Sequence, residues 1–261
     1  MQIAIIGAGN IGGAVARGLL RSKSIAPSDL LVADIDQSNL DSIKKIDSKV
    51  TVSNSNKEIA AKADIIILAV KPWLVQPVLS DLSGIISPDK VLVCIAAGID
   101  FEFLSHIIDG QISMFRVMPN TAISLNESMT LISSQNATKA QDEYVLNLFA
   151  QLGKSVLIPE SMMGPATSVA SCGIAYALRY LRAAVEGAVE LGFRADVATE
   201  IVAQTMKGAV ELVLQNNSHP EVEIDKVTTP GGWTIKGLNE MEAHGFTNAV
   251  IKGLKASHIK K

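Results

Sequence analysis

Aromatic side chains are scarce in this chain: tryptophan, tyrosine and phenylalanine make up 4% of its 261 residues, against 48% hydrophobic residues. The core must therefore be aliphatic and rich in alanine, a composition that suits helices and parallel sheet. Cysteine is nearly absent. Cys94 and Cys172 form neither a CxxC pair nor a disulfide framework, which fits a reducing compartment and a cytoplasmic protein. Positive charge is not in excess either, since 23 Lys and Arg against 26 Asp and Glu leave a net charge of −3. Nothing in that balance offers a basic surface to nucleic acid or anionic lipid. The longest apolar runs, around residues 65–70 and 91–97, are far too short to cross a bilayer. Because Ile3 to Ile6 already reads as a strand, no signal peptide is expected. His106, His219, His244 and His258 lack metal-ligand spacing, so no metal is expected, and no Ser–His–Asp or paired-carboxylate constellation is visible. Internal repeats, low-complexity tracts and long charge runs are missing as well.

What is present is an alternation of strands and helices in the first half. Ile3-Ala4-Ile5-Ile6 is followed by Gly7-Ala8-Gly9-Asn10-Ile11-Gly12, and then by a helical pattern in which Ile11, Ala14, Val15, Gly18 and Leu19 share a face. A GxGxxG between strand and helix is a dinucleotide signature. Gly7 permits the tight turn, Gly9 lets a pyrophosphate approach the backbone, and Gly12 lets the helix pack on the strand. A second strand, Leu30 to Ala33, ends at Asp34, 22 residues after Gly12. That is where such folds place the acid that holds the adenosine ribose hydroxyls; a helix cap or a solvated loop charge is the bland alternative. No arginine follows Asp34 to receive a 2′-phosphate, so NADH is favoured while NADPH is not excluded. Further strands are expected at Ile65–Val70, Val91–Ala96 and Ile112–Met118, each ending in punctuation: Val70-Lys71-Pro72, Ala96-Ala97-Gly98 and Met118-Pro119-Asn120-Thr121. In a parallel, doubly wound sheet these carboxyl-end turns line the cofactor cleft. Residues 126–133 and 153–158 add two candidate strands around a helix near 138–151, and the dinucleotide-binding domain closes near Pro159.

From Glu160 onward the pattern is helical. Residues 165–191 read as one long helix ending at Gly192, crowded with small residues, followed by helices at 195–215, 234–243 and 247–257. About 100 residues of helix make a modest core, so burial against another subunit is expected. Within residues 227–235, Pro230-Gly231-Gly232 is a turn whose backbone amides can face a small anion, with Thr228, Thr229 and Thr234 around it. Ile235 begins helix-forming sequence, and a turn feeding a helix N-terminus favours a carboxylate. An ordinary threonine-capped helix would look the same in this segment alone.

Taken in order, Gly7–Gly12, Ala69-Val70-Lys71-Pro72, Ala96-Ala97-Gly98-Ile99, Arg116-Val117-Met118-Pro119-Asn120-Thr121 and Asp225–Thr234 resemble the Δ1-pyrroline-5-carboxylate reductases. The resemblance spans nearly the whole chain and implies a Rossmann domain (1–159) plus an all-α substrate and dimerisation domain (160–261). It implies NAD(P)H-dependent reduction of a cyclic imine to L-proline, with an imino acid as substrate and a homodimer or larger assembly. It places Thr234 on the pyrroline ring as the catalytic residue. Thr228, Thr229, Gly231, Gly232 and Trp233 fall at the substrate carboxylate. Gly7, Ala8, Gly9, Asn10, Ile11, Gly12, Asp34, Asn56, Ala69, Val70, Lys71, Pro72, Ala97, Gly98, Met118, Pro119 and Asn120 fall at the cofactor. Departures from the family pattern are Ala122 after Asn120-Thr121, Trp233 in place of a small residue, and Ile174 where proline is usual. Ile174 restores an N–H donor and is expected to remove a kink. A related cyclic imine and a catalytically silent paralogue stay as alternatives. A β-hydroxyacid dehydrogenase is disfavoured, because residues 165–191 contain no lysine.

Overall fold

The structure, a computed structural model, describes residues 1–108 and 111–258. Its first unit is built on eight strands. They are β1 (Ile3–Ile6), β2 (Leu30–Ala33), β3 (Thr51–Ser53), β4 (Ile65–Leu68), β5 (Val91–Cys94), β6 (Ser113–Met118), β7 (Ser128–Gln135) and β8 (Gly153–Leu157). The helices that cover them are α1 (Asn10–Ser22), α2 (Gln37–Lys44), α3 (Asn56–Lys62), α4 (Val75–Asp81), α5 (Phe101–Ile107), α6 (Lys139–Ala150) and α7 (Met163–Ala170). The strands lie in the order β3-β2-β1-β4-β5-β6-β7-β8, with β7 antiparallel to β6 and every other neighbouring pair parallel. The expected doubly wound sheet is therefore present, and its strand order reverses between β1 and β4, where such sheets bind ligands.

The apolar strand runs follow from burial on both faces. Ile3, Ile5, Val32, Ile65 and Ile67 point to one side and join Val15, Leu19 and Phe149. Ala4, Ile6, Ile66 and Leu68 point to the other and join Leu79 and Leu104. Successive Cβ atoms alternate across a strand, so one continuous run supplies two separate cores.

The second unit comprises α8 (Gly173–Glu190), α9 (Ala195–Asn216), α10 (Pro220–Lys226), α11 (Trp233–Ala243) and α12 (Phe246–Ala256). Within it, α8 packs on α9 and α11 on α12. Tyr180 meets Phe246 edge-to-face at 6.2 Å, and the Tyr176 hydroxyl donates to the Gly253 carbonyl at 3.4 Å.

One expectation changes. Residues 165–191 are not one helix: α7 ends at Ala170 and α8 starts at Gly173. A continuous helix would offer the Ala170 carbonyl to the amide of Ile174, but that carbonyl accepts from Asn120 Nδ2 at 3.0 Å instead. The donor that Ile174 restores therefore does not close the gap. The two compact units divide between Ser171 and Cys172, with α7 packed against β7 in the first.

Candidate active site

The glycine-rich turn sits at the carboxyl end of β1. Gly7 has φ +95°, and a Cβ there would lie 2.7 Å from the Ala69 carbonyl oxygen. A Cβ on Gly12 would overlap the Gly7 carbonyl oxygen and stand 2.9 Å from the Ala69 methyl. Gly9, by contrast, has nothing within 4 Å of such an atom. The tight turn thus falls on Gly7 and the close packing on Gly12, while the backbone at Gly9 is open. Gly9 is also the N-cap of α1, and no side chain caps that helix. The first amides of α1, on Asn10, Ile11 and Gly12, lack intrahelical partners and favour an anion. Open space at Gly9 beside uncapped amides fits a dinucleotide pyrophosphate.

Asp34 follows β2 and is half-buried. Its Oδ2 accepts from the Ala8 amide at 2.5 Å and its Oδ1 from the Asp36 amide at 2.8 Å. The acid therefore braces the glycine turn, while its remaining lone pairs can accept hydroxyl donors. Asn56 is the first residue of α3 and half-buried, behind Ser55, which caps that helix through the Glu58 amide at 3.3 Å. The asparagine that reaches Asp34 is Asn54, whose Nδ2 donates to its carbonyl at 2.9 Å.

The other strand ends surround the same edge of the sheet. The Ala69 amide donates to the Ile6 carbonyl at 2.8 Å, which sets the β4 turn beside Gly7. Ala69, Val70 and Pro72 are half-buried, and Lys71 is exposed. Ala97 and Gly98 are exposed after β5, Gly98 with φ +78°. Met118, the last residue of β6, is half-buried, and Pro119 after it is buried. Asn120 is 6% exposed and its polar groups serve the protein: its amide donates to Ser128 Oγ at 3.1 Å, and its Oδ1 accepts from the Ala122 amide at 3.0 Å. Its contribution to a cofactor site is the shape of the turn, with Nδ2 held on Ala170. Burial pushes the Cys94 thiol up to about 11, and a hydrogen bond with the Ala96 backbone and the nearby Arg116 charge offset only part of this, so the group is an inert core thiol.

In the second unit, α10 leads into the loop carrying Thr228 to Gly232. Thr228 Oγ1 donates to the Ile224 carbonyl at 2.8 Å, so its proton is turned back onto α10. The Gly232 amide donates to the Thr229 carbonyl at 2.9 Å, and Gly231 has φ +70°. The following helix begins at Trp233, earlier than Ile235, with Gly232 as its N-cap and no side-chain cap. Thr234 is exposed in its first turn, and among the described residues its hydroxyl makes no hydrogen bond. Trp233, beside it, is 91% exposed.

Residues 160–261 match the family model described as pyrroline-5-carboxylate reductase dimerisation, and residues 2–98 match the one described as NADP oxidoreductase coenzyme F420-dependent. Pyrroline-5-carboxylate reductase of Methanosarcina acetivorans is 33% identical over 263 residues, covering 98% of this chain and 96% of its own length. The chain belongs to the pyrroline-5-carboxylate reductase family. Pyrroline-5-carboxylate reductase 1 of Dictyostelium discoideum is 37% identical over 270 residues; 99% of this chain spans about half of that protein, 49% of its length. The crystal structure of the Plasmodium falciparum pyrroline carboxylate reductase with NADP bound has a TM-score of 0.86 at 27% identity, covering 98% of this chain and 95% of that one.

As a member of this reductase family the chain is an oxidoreductase with a nicotinamide-cofactor domain. Arg116, Ser128 and Glu160, like Asn54, are polar residues around the strand ends to which the sequence gave no role. Arg116 stands 44 positions from its partner Glu160, a separation that carries no local signal.

Proposed function

We propose that this protein reduces 1-pyrroline-5-carboxylate to L-proline with NADH or NADPH. The observation that carries the reading is the pair of uncapped helix starts, α1 behind Gly7–Gly12 and α11 behind Pro230-Gly231-Gly232. The glycine turn, Asp34, Asn56 and the turns at 69–72, 97–98 and 118–120 would hold the dinucleotide, which when bound would supply the hydride that the imine carbon needs. The amides of Gly231 and Trp233 receive the substrate carboxylate, with the Thr229 hydroxyl nearby and Thr228 and Gly232, whose amide is held on the Thr229 carbonyl, shaping the turn. The ring nitrogen, entering protonated, donates to the Thr234 hydroxyl oxygen. That bond holds the iminium in its electrophilic form. An iminium carbon needs no protein nucleophile, so orientation supplies much of the rate. A related cyclic imine is the second reading, favoured by the exposed indole of Trp233 beside the loop. Following NADH and NADPH oxidation with pyrroline-5-carboxylate and then with its six-membered homologue tests both. Activity with neither would overturn the proposal.

Asp34 is the reason to propose NADH as the better cofactor. Its carboxylate suits ribose hydroxyls and repels a 2′-phosphate. Wild-type kcat/KM should favour NADH, and Asp34→Ser should move the ratio towards NADPH by about tenfold, roughly 1.4 kcal/mol. The same variant loses the bond to the Ala8 amide, so binding of both cofactors should weaken while the ratio moves. A tenfold wild-type preference for NADPH, about 1.4 kcal/mol the other way, would show that Asp34 does not meet the ribose.

We propose further that residues 160–261 form the substrate and dimerisation region and that the protein is a homodimer or larger. Among the described residues of the second unit, Val185 and Ala198 are the buried hydrophobics, whereas Leu178, Ile201, Val210, Leu212 and Leu214 are between 47% and 58% exposed. Such a unit lacks a core of its own, and a second copy would supply one. Sedimentation at micromolar concentration should give a dimer or higher species; an active monomer would refute this. Cytoplasmic placement is proposed from the two free cysteines. Among the described residues no helix is long and apolar enough to cross a membrane.

A further inference from the structure

A single carboxylate ties together three segments at the carboxyl edge of the sheet. Glu160 Oε1 accepts from Arg116 Nη1 at 2.6 Å and from the Phe101 amide at 2.8 Å. The Arg116 guanidinium lies 6.0 Å from the Phe101 ring centre, and its side chain is 15% exposed. Arg116 is in β6, just before the Met118-Pro119-Asn120 turn. Phe101 opens α5, just after the Ala97-Gly98 turn. Glu160 begins the short turn that leads into α7, whose last carbonyl, on Ala170, accepts from Asn120. Residues 160–170 are thus fastened at one end to β6 and to the start of α5, which flank the two turns, and at the other end to Asn120 in the turn after β6.

A Rossmann sheet holds a dinucleotide in two halves, and β1 to β3 with the glycine turn and Asp34 form the half that takes the adenosine and pyrophosphate. The turns after β5 and β6 belong to the other half. We infer that Arg116 and Glu160 are positioning residues for the nicotinamide end of the cofactor, holding the 97–98 and 118–120 turns in register with one another. The pair is mostly sheltered, so losing one partner leaves a poorly solvated charge and a free α5 amide, and the turns must move to relieve them. Because small displacements at a reacting centre cost rate steeply, such a shift would be felt there while the adenosine half keeps its grip.

The inference rests on the proposed dinucleotide site, and the test separates the two. ADP-ribose, which lacks nicotinamide, and intact NADH are titrated against wild type, Glu160→Ala, Glu160→Gln and Arg116→Lys, with NADH fluorescence and calorimetry as readouts that need no turnover. Wild type should bind both. Glu160→Ala should weaken NADH by about tenfold and ADP-ribose by less than about twofold, with kcat falling by tenfold or more. Glu160→Gln retains an acceptor for Phe101, and Arg116→Lys retains the charge, so each should lose less than Glu160→Ala; they also serve if the alanine variant folds poorly. Equal losses for NADH and ADP-ribose, or no loss of either beyond a lowered Tm, would overturn the positioning role alone. A wild type that binds neither would overturn the dinucleotide reading and this inference with it.

Discussion

Gly12→Ala should collapse the stability of the first unit, whereas Gly9→Ala, three residues away, should leave it nearly unchanged and abolish tight cofactor binding. The added methyl at Gly12 would overlap the Gly7 carbonyl oxygen and crowd the Ala69 methyl. Both are fixed: Gly7 donates its amide to the Ala33 carbonyl at 2.8 Å, and Ala69 donates to Ile6 at 2.8 Å. Backbone in the middle of a sheet cannot swing aside as a flexible side chain could. Overpacking of this kind costs typically about 1–3 kcal/mol, and the upper end or more is expected here. The urea midpoint should fall by about 1 M or more. At Gly9 there is open space and an extended backbone with φ −65°, so stability should change by less than about 0.5 kcal/mol. The methyl then occupies the room through which a pyrophosphate reaches the amides, and Kd for NADH should rise by at least about tenfold. A stable Gly12→Ala protein would mean that the α1–β1 packing is looser than described. A Gly9→Ala protein with unaltered Kd would place the pyrophosphate elsewhere.

Thr234→Ala should lower kcat/KM for pyrroline-5-carboxylate by about ten- to hundredfold, with the Kd of the cofactor unchanged. A hydrogen bond to a charged group is worth roughly 1.5–3 kcal/mol, which is that range in rate if the bond is made in the transition state. Thr234 suits the assignment because its hydroxyl is uncommitted in the first turn of α11, while that of Thr228 is spent on Ile224. Alanine is also the better helix former, so a loss of activity cannot be blamed on a weakened helix. Thr234→Ser, which keeps the hydroxyl, should retain most of the rate. Unchanged turnover in Thr234→Ala would show that this loop does not hold the ring.

The strands, the glycine turn and the helical second half were legible in the sequence because each is a local property. Ile3–Ile6 and Ile65–Leu68 are apolar runs ended by Gly7 and by Lys71-Pro72, and no other element fits runs so short in such a context. The three glycines divide turn, approach and packing by spacing alone. A short strand such as Thr51–Ser53, between Val50 and Asn54, has too few residues to announce itself.

What only the tertiary structure decided depends on residues far apart in the chain. The break after Ala170 could not be read from Ile174: the carbonyl a continuous helix would use accepts from Asn120, 50 positions earlier, a partner that local helical propensity does not see. Asp34 was legible as an acid at the end of a strand, but its bond to the Ala8 amide depends on β1 and β2 lying side by side. Glu160 gave no signal at all. Its meeting with Arg116 and the Phe101 amide is set by where β5, β6 and β8 end in one sheet. Local pattern fixes what each segment becomes, since backbone conformation and burial act on neighbours in sequence; the polar partners of a buried side chain are chosen by topology, which brings strand ends together regardless of their distance along the chain.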